Sequence, residues 1–87
     1  MRGRCDICEK YADLDKHHVF NGAYRKKSEE YGAVVWICRD CHDDLHHRHP
    51  AKYLWLKREW RDRLMAWNGW TIDDFIREFG RGEWFES

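Results

Sequence analysis

Four cysteines stand as two Cys-x-x-Cys pairs, Cys5/Cys8 and Cys38/Cys41, with 29 residues between the pairs. Each pair sets two sulfurs on one tight turn, and two such turns complete a tetrahedral four-sulfur site for Zn²⁺. Soft thiolates in that number favour zinc or an iron–sulfur cluster over hard cations. Two disulfides, or four unrelated core thiols, are the competing reading, and disulfides suit an exported chain. The N-terminal stretch MRGRCDIC has no apolar run that could act as a signal peptide. The expected role is therefore a structural zinc, tying the N-terminus to the start of a helix, with folding and site formation coupled.

Six histidines accompany the cysteines. His42 and His46, four residues apart, share one face of a helix and can grip one divalent cation. Taken alone, such a pair is more often solvated than ligating. Here His42 directly follows Cys41, so the zinc staple would aim it. With His17, three imidazoles can hold an ion that keeps open positions for water and phosphate oxygens, the pattern of a catalytic site. His17 and His18 fall at the end of a candidate strand, where adjacent side chains can reach one site despite opposite facings. His47 and His49 are read as solvated.

These side chains need a scaffold. Eighty-seven residues make a single domain, residues 1–87. A chain of this size buries only a little over ~60% of its unfolded surface, so a metal staple is welcome. Pro50 divides it into residues 1–50, with every Cys and His, and a helical extension over residues 51–87, with five of the six tryptophans. The β-rich run 33–37 predicts a strand, and Leu14 to Phe20 a weaker antiparallel partner. Residues 21–32 are too many for a tight hairpin and read as a loop with one helical turn. A helix is expected from Asp40 to about Arg48, limited by Pro50. Tyr53, Leu56, Trp60, Leu64 and Trp67 form one apolar stripe on a further helix, which Asn68-Gly69 ends. Phe75 and Phe79 are expected to pack with that stripe. Thr71 and Asp74 resemble a capping box that opens a short helix from Ile72 to Phe79, with Gly80 beyond it. Trp55 lies opposite the stripe and suggests a partner or homodimer surface, unless Trp84 covers it.

Sixteen Lys and Arg balance sixteen Asp and Glu, so there is no global basic field. Four thiolates and one dication would lower the net charge by two, which makes formal neutrality weak evidence about partners. No stretch approaches the ~18 apolar residues of a membrane span. The expected setting is a reducing cytoplasm.

Taken together, Cys5-x-x-Cys8, His17-His18-Val19-Phe20 and Ile37-Cys38-Arg39-Asp40-Cys41-His42-x-x-x-His46 resemble the HNH (ββα-metal) endonuclease family, in its small zinc-stapled phage and prophage members. Arg25-Lys26-Lys27-Ser28-x-x-Tyr31-Gly32 and Asp74-Phe75-x-x-x-Phe79-Gly80 extend the likeness, from residue 5 to about 80. The resemblance implies an α+β fold, a zinc-stabilised ββα-metal finger with a C-terminal helical extension. It implies that His17, His42 and His46 hold a catalytic divalent ion (Mg²⁺, Mn²⁺, Ni²⁺ or Zn²⁺) and that His18 is the general base. Water activated by His18 would attack a DNA phosphodiester, leaving 5′-phosphate and 3′-hydroxyl ends. Arg25, Lys26 and Lys27 are candidates for phosphate contacts, with Lys57, Arg58, Arg61 and Arg63 as a second surface. Phage DNA-packaging proteins are the implied partners. The family's middle Asn, which steadies the loop holding the base, is replaced by Ala33; Asn21 is the nearby candidate substitute. The alternatives are a noncatalytic zinc module that binds nucleic acid or protein, and a structural zinc adaptor whose tryptophan-rich helices recruit a larger enzyme.

Overall fold

The computed structural model describes residues 1–82. Three antiparallel strands form one sheet in the order β1-β2-β3: β1 (Arg2–Arg4), β2 (Tyr11–His18) and β3 (Val34–Cys38). Around them lie α1 (Arg25–Glu30), α2 (Arg39–Asp43), α3 (Leu54–Asn68) and α4 (Ile72–Phe79). A 3₁₀ turn, Gly22–Tyr24, leads into α1, and another, Pro50–Tyr53, leads into α3. The result is a small α+β architecture.

The central hairpin follows the expected pairing with shifted bounds. β2 starts three residues before Leu14 and ends at His18, while β3 runs one residue past Ile37 to Cys38. Its register sets His17 opposite Val35 and His18 opposite Val34. Asp15 and His17 lie on the face covered by α2, and Lys16 and His18 lie on the face towards α1, as the two-residue period of a strand requires. β1 pairs Arg2 with Asp13 and Arg4 with Tyr11. Its three residues, Arg-Gly-Arg, carry no apolar alternation, so sequence patterning gives it no signal.

The helix expected from Asp40 begins at Arg39 and changes character midway. α2 is capped by Cys38, whose Sγ accepts from the Cys41 N–H. From Asp44 to Arg48 the coil widens to a π-helix, closed by His49 N–H donating to the Asp44 carbonyl. Pro50 then stops propagation because it has no N–H to offer. π-Helical turns are uncommon and concentrate at functional sites.

The core joins Leu14, Val35 and Ile37 of the sheet to Leu56, Trp60 and Leu64 of α3 and to Phe75 and Phe79 of α4. Trp67 departs from the expected stripe: it is 66% exposed, with its ring edge against Trp60 at 5.9 Å. It sits in the last turn of α3, which overruns the core. Trp70, just beyond, packs on Tyr31 and Phe75 instead. The capping box at Thr71 and Asp74 is present in both directions. Gly80 closes α4 with φ of +71°, and a Cβ there would collide with the Tyr24 hydroxyl, so only glycine lets the two segments meet. Trp55 is exposed as expected; Trp84 lies outside the described residues. Among the described residues no helix is long and apolar enough to cross a membrane.

Candidate functional site

The two Cys-x-x-Cys turns converge. All four sulfurs of Cys5, Cys8, Cys38 and Cys41 lie within 4.8 Å of one another, and none is in a disulfide. Cys8 Sγ and Cys38 Sγ are 3.8 Å apart. Zn–S bonds of about 2.3 Å make the edge of a tetrahedral S₄ site about 3.8 Å long. Backbone N–H groups of Ile7 and Cys8 point at Cys5 Sγ, each at 3.4 Å. Asp6 docks this knuckle on β3, its N–H donating to the Trp36 carbonyl and its carboxylate accepting from Trp36 N–H.

The thiols are in conflict without a cation. Burial opposes ionisation of Cys5, yet the backbone donors outweigh it and hold that thiol down at about 6. Cys41 is pushed up, first by burial and then by its sulfur neighbours. Thiolates crowded this closely repel one another, and a dication between them relieves that repulsion. The donor set fits a structural metal site such as zinc.

The second cluster is made of His17, His42 and His46, whose nitrogen donors also lie within 4.8 Å of one another. His17 comes from the end of β2, His42 from α2 and His46 from the π-helical turn. Ring centroids are 5.5 Å apart for His17 and His42, 5.2 Å for His17 and His46, and 4.8 Å for His42 and His46. Bonds of about 2.1 Å to one tetrahedral ion would set ring centres about 5 Å apart, so the spacing fits a single ion. His17 is only 4% exposed, and burial, reinforced by His46, His42 and Lys57, pushes its imidazole down to about 4. His46 is lowered for the same reasons, burial first. Both rings are thus held neutral, the ligating form. Asp15 Oδ2 lies 3.0 Å from His42 Nδ1 and 2.9 Å from Arg39 Nε, and these contacts, Arg39 foremost, keep the Asp15 carboxyl below its usual range.

His18 faces the other way, yet it lines the same cleft as the three imidazoles. That cleft, of about 240 Å³, is bounded by Lys16, His17, His18, Asn21, Arg25, His42 and His46. His18 Nε2 is 2.7 Å from Glu29 Oε2, and Arg25 Nε is 3.4 Å from His18 Nδ1. Lys16 Nζ meets the second oxygen of Glu29 at 2.6 Å. Lys16 and then His18 hold the Glu29 carboxyl below its ordinary value.

The basic triplet is split by the helix that carries it. Arg25 and Lys26 border His18, whereas Lys27 turns to Glu78 of α4 at 3.3 Å. Of the second basic group, Arg61 pairs with Asp62 and Arg63 with Glu59. Lys57 lines an adjoining cleft of about 160 Å³ together with His17, Asn21 and His46. His47 is exposed, and His49 Nδ1 meets the Asp44 carboxylate at 2.7 Å.

The loop behind the histidines is tied by Ser28. Fully buried, its hydroxyl donates to the Ala33 carbonyl at 2.6 Å and accepts from Phe20 N–H at 3.2 Å. Val19 N–H also reaches the Ala33 carbonyl, at 3.0 Å. The loop is thus braced by a serine across it, and Asn21 supplies no side-chain cap to its own turn. Asp15, Ser28 and Glu29 were not expected at the site. Asp15 left a signal, since it precedes His17 by two on the same strand face; Ser28 and Glu29 needed the fold of the loop. Comparison with family models, curated proteins and solved structures finds no match to this chain.

Proposed function

We propose that the protein is a metal-dependent endonuclease of the HNH type that hydrolyses DNA phosphodiesters, with zinc on the four cysteines as its structural staple. One observation carries the reading: His17, His42 and His46 converge within 4.8 Å at a cleft that His18 also lines. A divalent ion on those three rings would act as a Lewis acid towards phosphate oxygens. Asp15 accepts the Nδ1 proton of His42 and so leaves its Nε2 for ligation, the usual duty of a carboxylate behind a ligating imidazole. His18 takes a proton from the water that attacks phosphorus. Arg25 lines the cleft, and Lys26 and Lys57 line the hollows beside it, offering positive charge to neighbouring backbone phosphates.

Supercoiled plasmid incubated with Mg²⁺, Mn²⁺ or Ni²⁺ tests this. Nicking or linearisation is expected, and His18→Ala should keep zinc and fold while losing about 10²–10⁴-fold in rate. DNA binding without cleavage in any of these ions would instead favour the noncatalytic zinc module.

A further inference from the structure

We infer that Glu29 is a positioning residue for His18: its carboxylate selects the Nε2–H tautomer, so that Nδ1 is the nitrogen that accepts the proton. The kinetic consequence rests on the nuclease reading above; the tautomer itself does not.

Donor and acceptor inventory decides the tautomer. An ionised carboxylate can only accept, and an arginine Nε–H can only donate. Glu29 Oε2 sits 2.7 Å from Nε2, and Arg25 Nε sits 3.4 Å from Nδ1. A neutral imidazole between those two partners must carry its proton on Nε2 and its lone pair on Nδ1. The carboxylate is itself oriented, because Lys16 takes Oε1 at 2.6 Å and leaves Oε2 to the ring. Its helix is anchored one residue away by buried Ser28. The Arg25 contact is the longer of the two, and Arg25 is also the group best suited to a substrate phosphate. A phosphate that draws Arg25 away exposes the Nδ1 lone pair to water.

The proton count closes. As the water oxygen bonds to phosphorus, its proton passes to Nδ1, the bond from phosphorus to the 3′-oxygen breaks, and that oxygen takes a proton from solvent. His18 is then an imidazolium facing an anion at 2.7 Å, and it returns its proton to solvent.

The test uses the full zinc-folded chain with ¹⁵N-labelled histidine. The wild type should show His18 as the Nε2–H tautomer. Glu29→Met should mix the tautomers and lose about 100-fold or more in kcat with KM little changed, as for other base–carboxylate pairs. Glu29→Gln retains an acceptor without its charge; it should keep the tautomer and fall between the two in kcat. An Nδ1–H tautomer in the wild type, or an unaltered tautomer in Glu29→Met, would overturn the inference whether or not DNA is cut. Wild-type kcat in a Glu29→Met variant that cleaves DNA would overturn it too. Tautomer mixing in a protein that cleaves nothing would uphold Glu29 and sink the nuclease instead.

Discussion

A histidine left 4% exposed has two stable conditions, neutral among neighbours or bound to a cation. His17 meets the first through a proton affinity pushed from 6.5 down to about 4 by burial. An unfolded chain takes up that proton as the pH drops below 6.5, whereas the folded chain refuses it until about 4. Stability contributed by the neutral ring is thus present above 6.5 and drains away on acidification through that window. The slope is at most about 1.4 kcal/mol per pH unit for one proton. His17→Asn should flatten this limb relative to wild type, measured by urea denaturation at constant zinc between pH 4 and 6.5. A divalent ion added to the wild type should steepen it, because protons then compete with the metal. An identical pH profile for the variant would show that His17 is not held neutral by its surroundings.

The loop between β2 and β3 closes the hairpin that carries His17 and His18. The segment from Phe20 to Ala33 is braced by one hydroxyl with two backbone partners. Ser28→Ala removes both buried bonds of the hydroxyl, from the Phe20 N–H and to the Ala33 carbonyl, at a cost of about 1–3 kcal/mol. Thermal unfolding should register the loss, and hydrogen exchange should quicken at the Phe20 amide more than at β1. Equal exchange at both would mean the brace is dispensable. Here the limits of sequence reading are plain. Short-range rules found the hairpin, the Thr71–Asp74 cap and the buried face of α3, because periodicity and capping act within a few residues. They missed β1, whose arginines follow no pattern, and misjudged Trp67, whose exposure depends on where the core ends. Glu29 and Ser28 were invisible as site residues, since their partners lie 11 and 5 to 8 positions away through a turn whose path spacing alone does not determine. The cysteine and imidazole clusters were legible because few other arrangements use those residue types at those intervals.

The whole molecule has one modest core and a sulfur cluster that joins its N-terminal turn to the end of β3 and the start of α2. Stripping the metal with a strong chelator, or replacing Cys38 with Ser, should abolish the cooperative thermal transition and release the imidazole cluster with it. Circular dichroism and the near-ultraviolet signal of the core tryptophan Trp60 would report both; a sharp transition in the chelated protein would mean the core suffices alone. Cys41 and His42 are consecutive residues, one in each cluster. A single peptide unit therefore connects the two clusters, so a shift of one backbone position moves a member of each. Where ions bind both clusters, any coupling between them is reciprocal, each occupant changing the other's grip by the same factor. A congener larger than zinc on the four sulfurs would then displace His42 and reshape the histidine cleft without any substitution inside it.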